Sequence, residues 1–94
     1  MKVIWSPLAV DRVSEIAGYI AQDNPAAAES WIHAVFKEVE NLKAFPESGR
    51  IVPEFGIAHL RELIYPPFRI VYRLDKMRVR IVRVWRSERL LKMP

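Results

Sequence analysis

The chain has 94 residues and no cysteine, which excludes a disulfide framework, a thiolate nucleophile and a cysteine-held metal; a chain of this length is expected to be one domain over residues 1–94. Although 51% of the residues are hydrophobic, none of its apolar runs approaches the roughly 18 residues that cross a bilayer, and the N-terminus lacks the basic start and apolar stretch of a signal peptide, so a cytoplasmic protein with no membrane partner is expected. The net charge of +4 divides unevenly, −3 over residues 1–48 and +7 over 49–94, and ten of the 15 basic residues are arginine, the side chain whose planar fork matches phosphate and carboxylate; the basic half points to a polyanion or an acidic protein as partner, or to a solvated basic surface.

Residues 2–5 (KVIW) read as a short strand. Ser6 then offers a helix N-cap and Pro7 the first helical position. Ala9, Val13, Ile16, Ala17 and Ile20 recur at helical spacing and predict an apolar face on a helix ending near Gln22. Asn24-Pro25 repeats the start signal for a second helix, with Ala28, Ile32, Val35, Val39 and Leu42 on its apolar side and Trp31 and Phe36 widening the stripe. Phe45-Pro46 and Ser48-Gly49 stop it. So short a link predicts an antiparallel helical hairpin.

After Gly49 the pattern is strand and turn. Arg50–Glu54 reads as a short edge segment, because Pro53 cannot donate to a ladder. Residues 59–65 are a strand candidate ended by Pro66-Pro67, and 68–74 (FRIVYRL) and 79–85 (VRIVRVW) are the strongest strands. A turn centred on Lys76-Met77 sets Leu74 opposite Val79, Tyr72 opposite Ile81, Ile70 opposite Arg83 and Phe68 opposite Trp85. Side chains alternate between faces. Phe68, Ile70, Tyr72, Leu74, Val79, Ile81 and Trp85 then face the helices. Arg69, Arg73 and Arg80 stand on the other face with Val71, Val82 and Val84. Arg83 falls on the apolar face, where a lone charge is costly, and calls for an edge position or a carboxylate partner. The predicted fold is α+β, in the order β-α-α-β-β-β, with the helical hairpin on one face of a twisted antiparallel sheet.

This order, together with particular segments, resembles the RelE/ParE superfamily of bacterial toxins. WSPLAVDRVSEIAGYIAQDNPAAAESW at 5–31 is similar to the family's opening strand and helices, FPESGR at 45–50 to the link that follows, and LREL at 60–63, FRIVYR at 68–73 and VRIVRVWRSER at 79–89 to its sheet. The resemblance implies the toxin of a type II toxin–antitoxin module, causing growth arrest and serving plasmid stabilization. Its cognate antitoxin would fold an acidic C-terminal segment over the toxin and carry the only contact with operator DNA. It implies no cofactor.

Within the superfamily, RelE-like toxins cut messenger RNA on the ribosome and ParE-like toxins inhibit DNA gyrase. RNA cleavage needs a group to take the 2′-hydroxyl proton, cations for the phosphorane and an acid for the leaving oxygen. Arg69 matches the family's strand arginine. Ser87 stands where a second catalytic arginine is expected, with Arg86 and Arg89 flanking it; no tyrosine or histidine follows Tyr72, and no lysine lies between Lys43 and Lys76. Guanidinium stays protonated at neutral pH and makes a poor acid or base. These gaps, the Asn24-Pro25 break and the VWRSER ending favour the ParE-like branch. A nuclease would have to work with Arg69, Arg61, Arg86 and Arg89.

The candidate contacts with target or antitoxin are Arg61, Arg69, Arg73, Arg80, Arg86, Arg89 and Trp31. Each has a plainer reading. Arg69 and Arg73 can be solvated strand arginines, Arg61 can pair with its neighbour Glu62, Glu88 can cap a turn or pair with a nearby arginine, and Trp31 can be core. His33 sits on an outward helix face and His59 has no second ligand near it in sequence, so no metal site is expected.

Overall fold

The structure is a computed structural model and describes residues 1–86. Strand β1 (Lys2–Trp5) leads into helices α1 (Pro7–Asp23) and α2 (Pro25–Glu40), a 3-10 turn (Asn41–Lys43), and strands β2 (Arg50–Ile51), β3 (Leu60–Tyr65), β4 (Phe68–Leu74) and β5 (Arg78–Arg86). The fold is α+β, as expected, and residues 87–94, the expected helical turn or tail with Ser87, Glu88 and Arg89, lie outside the described residues.

The helix boundaries follow their caps. Ser6 Oγ accepts from Ala9 N at 3.1 Å, and Asn24 Oδ1 accepts from Ala27 N at 3.0 Å. Asn24 also closes α1 through its own N–H to Ile20 O at 3.0 Å, so one residue ends one helix and starts the next. Ala9, Val13 and Ala17 of α1 and Ala28, Val35 and Val39 of α2 are buried, while Ile16, Ile20 and Ile32 are only half-buried.

The strands form one five-stranded sheet in the order β1-β5-β4-β3-β2. It is antiparallel from β2 through β5. One departure from the sequence expectation is at the edge: β1 pairs with β5 in parallel, so the sheet is mixed. The main core lies between helices and sheet, with Ala9, Val35, Val39 and Leu42 against Ile70, Tyr72, Val79 and Ile81.

The β4–β5 hairpin turns at Lys76-Met77 and keeps the expected register through Leu74↔Val79 and Tyr72↔Ile81. Beyond that point it slips. Val71 pairs with Arg83, Ile70 with Val84, Arg69 with Trp85 and Phe68 with Arg86, leaving Val82 as an extra residue. This β-bulge corrects the expected pairs Ile70–Arg83 and Phe68–Trp85. A regular ladder would have driven the Arg83 charge into the helix-facing core; one added residue reverses the faces of everything after it. Val84 now packs with Phe68 and Val13 beneath the helices, and Trp85 packs on the far side with Val71.

Candidate functional site on the open sheet face

Away from the helices, the sheet divides into two parts. At the end nearer the β3–β4 turn, the segment after β2 folds back over the sheet. Val52 joins Leu60 and Val71 in a second small core, with Val82 and Trp85 against it. The segment turns through Val52 O, which accepts from Phe55 N at 3.1 Å and Gly56 N at 3.0 Å, and Gly56 takes a φ of 63°, a conformation natural to glycine. The face away from the helices is therefore covered in this half.

Arg69 is the centre of the covered half. Its Nη1 and Nη2 donate to the two oxygens of Glu54 at 2.6 and 2.7 Å, a two-pronged pair. Its Nε donates to Glu62 Oε1 at 2.6 Å and Nη2 also to Glu62 Oε2 at 3.1 Å, while Arg50 Nε reaches Glu62 Oε2 at 2.7 Å. Arg69 is 5% exposed and Glu62 1%. The hydrogen bonds to Glu54, and then those to Glu62, hold the guanidinium proton more tightly than usual. Among the described residues, two arginines and two glutamates make the cluster neutral, as burial requires. Arg69 is therefore not presented as a free surface cation.

Arg61 does not pair with its neighbour Glu62, as its plainer reading had it. It lies opposite Tyr72 on the helix side of the sheet, and Glu62 points the other way. Its Nε donates to Ala58 O at 3.0 Å and its Nη1 to Gly49 O at 3.1 Å, fastening the β2–β3 segment to itself. Tyr72 is fully buried: its Oη accepts from Gly49 N at 2.9 Å and donates to Pro46 O at 2.8 Å. Burial raises the Tyr72 pKa above the ordinary phenol value. Both its position and its bonds remove it as a proton acceptor for a ligand on the open face.

The other half of the face, at the β4–β5 turn, is exposed. Arg73 and Arg80 are directly opposed across β4 and β5, and Lys2 is opposed to Arg78 across β1 and β5. All four side chains are exposed, and Asp75 pairs with Arg80 at 3.1 Å. Lys2 and Arg78 were missed from sequence because the parallel pairing of β1 with β5 leaves no hairpin signal. Arg50, Glu54 and Glu62 were missed because their complementarity is visible only after the segment folds back.

Trp31 and Arg86 come together elsewhere, beside the helices. With Ile16, Tyr19, Pro67 and Phe68 they line an apolar cleft of about 500 Å³. Trp31 meets Phe68 edge-on at 5.2 Å, and its Nε1 is buried without an acceptor among the described residues. His33 lies 3.9 Å from Glu29 on the exposed face of α2, and His59 is exposed before β3. Among the described residues no group of three or more histidines and carboxylates could hold a metal.

These features fit a protein that binds through its surface. Residues 3–91 match the family model described as the ParE toxin of the type II toxin–antitoxin system parDE. The chain belongs to the ParE toxin family. It is the toxin component of a type II toxin–antitoxin pair, and the family implies an antitoxin partner. The chain is 33% identical over 90 residues to the toxin RelE2 of Caulobacter vibrioides, covering 95% of this chain and 98% of that protein. It is 32% identical over 77 residues to the putative toxin Y4kP of Sinorhizobium fredii, covering 80% and 77%. Its fold is similar to a chain of the chromosomal ParDE system from P. aeruginosa, with a TM-score of 0.77, 22% identity, and coverage of 94% and 97%. Among the described residues, no helix of this ParE family member is long and apolar enough to cross a membrane.

Proposed function

We propose that this ParE family member is a cytoplasmic, non-enzymatic toxin that inhibits DNA gyrase and is neutralised by its cognate antitoxin. The observation that carries this reading is the enclosure of Arg69. In a RelE-like nuclease that strand arginine would meet the scissile phosphate. Here Glu54 and Glu62 take up its guanidinium from two sides, where an anionic phosphate would be repelled. Tyr72, buried against the helices, supplies no proton transfer on that face.

The apolar cleft at Trp31, rimmed by Glu15 and Arg86, suits an amphipathic antitoxin segment that folds as it binds. Acidic residues of that segment would pair with Arg86 at the rim of the cleft. The antitoxin would supply the sequence-specific contact with operator DNA. Arg61 and Arg69 hold the fold in this reading rather than the partner.

The test is supercoiling by purified gyrase with the full chain added. Block of supercoiling, and a DNA-damage response on induction without antitoxin, are expected. Normal supercoiling with ample folded protein would overturn the proposal. The alternative, ribosome-dependent cleavage of messenger RNA, draws on the likeness to a toxin named RelE2. Codon-positioned cuts in translated messages soon after induction would establish that alternative.

A further inference from the structure

We infer that the exposed end of the open sheet face, built from Lys2, Arg73, Arg78 and Arg80, is a binding site for the phosphate backbone of double-stranded DNA. The inference goes beyond the gyrase reading. It concerns the toxin's own contact with nucleic acid, and it is tested without gyrase, so either can fail alone.

The argument begins with strand pairing. Val3 and Trp5 of β1, Val79 and Ile81 of β5, and Ile70 and Tyr72 of β4 all pack toward the helices. Alternation therefore sends Lys2, Arg78, Arg80 and Arg73 to the opposite face. Lys2 is the register partner of Arg78, and Arg80 that of Arg73. Both cross-strand pairs are like-charged, an arrangement that destabilises a sheet. Among the described residues only Asp75 is paired with any of the four, at Arg80. The acids that would neutralise such a face, Glu54 and Glu62, are committed to Arg69 and Arg50. The fold thus gathers four exposed cations and one acid on a rigid platform, at a cost in stability that an anionic ligand would relieve.

The chemistry of the platform selects the ligand. An acidic peptide that orders on binding needs apolar anchors as well as charge pairs. The apolar neighbours of the four cations on this face are Ile4, which is half-buried, and Leu60, Val71 and Val82, which are already packed in the second small core. A single strand is held largely by stacking its bases on aromatic rings, and these rows hold no aromatic residue. A duplex backbone asks only for cations at fixed spacing. Adjacent strands place them about 4.8 Å apart and alternate residues along β5 about 6.7 Å apart. Contacts of this kind position a protein on DNA without reading its sequence.

The experiment is fluorescence anisotropy of a labelled duplex of arbitrary sequence, titrated with the full chain over a range of salt. A logarithmic salt slope of about −3 is expected for the three to four phosphates the patch can neutralise. In Arg73→Gln/Arg78→Gln the slope should fall by about 1.8, for two lost phosphate contacts, and affinity at about 0.1 M salt at least tenfold. Arg12→Gln/Lys37→Gln removes the same charge from the helices and should change affinity less than about threefold, because charges beyond a Debye length are screened. Thermal melting confirms that each variant is folded. Unchanged binding by the patch variant would overturn the inference, as would an equal loss in the helix variant. Equal affinity for a single-stranded RNA or for polyglutamate would also overturn it, by showing a site for another class of partner.

Discussion

The two halves of the open sheet face use the same residue type for opposite ends. In the covered half, Arg50 and Arg69 meet Glu54 and Glu62 in a neutral, largely enclosed cluster. In the exposed half, Arg73 faces Arg80 and Lys2 faces Arg78, with Asp75 as partner to Arg80. The difference is made by where the acids are placed. A guanidinium that leaves water must be matched, because an uncompensated buried charge costs several kcal/mol. One that stays in water can remain unmatched and available to a ligand. Position on an arginine-rich strand therefore says little about role until the carboxylates have been located.

The largest expected effect breaks the covered half. Arg69→Met leaves the buried Glu62 and the adjacent Glu54 without their central cation, and should destabilise by about 3–5 kcal/mol. Urea denaturation measures this directly. Adding Glu62→Gln and Glu54→Gln to Arg69→Met should recover much of the loss, since the charges then disappear together. Recovery would show that charge matching, and not the arginine itself, holds this half closed. A loss under about 1 kcal/mol for Arg69→Met would contradict the enclosure described here.

Next in size is the seam between the covered half and the helices. A Cβ on Gly49 would stand 2.6 Å from Glu62 O and 2.6 Å from Tyr72 Oη. Tyr72 is fully buried and cannot yield. Gly49→Ala should therefore cost about 1–3 kcal/mol by overpacking, with urea midpoints again the measure. Glycine here serves close approach rather than an unusual backbone angle.

Tyr72→Phe acts at the same seam by a different route. It leaves the buried Gly49 N–H without its acceptor and should cost about 1–3 kcal/mol. It also changes the response to alkali. Burial keeps the phenol proton bound more tightly in the folded state than in the unfolded chain. The stability this contributes is complete below the unfolded value of about 10 and is lost as pH rises through the higher folded value. The variant should lose that share of the alkaline decline. Urea midpoints at about pH 8 and about pH 10.5 separate the two effects, and an identical alkaline slope in both proteins would refute the assignment.

Much of the fold was legible because its signals are local. Ser6-Pro7 and Asn24-Pro25 fix helix starts by capping chemistry, and FRIVYRL and Lys76-Met77 fix β4 and the hairpin turn. The site was less legible because its determinants are not local. The bulge at Val82 was foreshadowed only by Arg83, which stood on the wrong face in a regular ladder. That anomaly was the signal, and inserting one residue was one of several ways to resolve it. The parallel pairing of Lys2 with Arg78 joins residues far apart in sequence, and neither shows its partner by pattern. The reach of Glu54 to Arg69 depends on a chain reversal through Gly56, which hydropathy does not encode.

The smallest effect sharpens the comparison from the exposed side. Arg73→Gln removes one member of the like-charged pair with Arg80 and leaves no buried group unsatisfied, since Arg73 is exposed. It should raise stability by a few tenths of a kcal/mol, the usual size of a cross-strand charge effect. The sign matters more than the size. A residue retained for structure loses stability when it is removed, whereas one held against its neighbours for a ligand gains stability and loses binding. Arg73→Gln melting slightly above the parent while binding duplex DNA more weakly would place it in the second class. A lower melting temperature would return it to the first, and the exposed half would then be held together much as the covered half is.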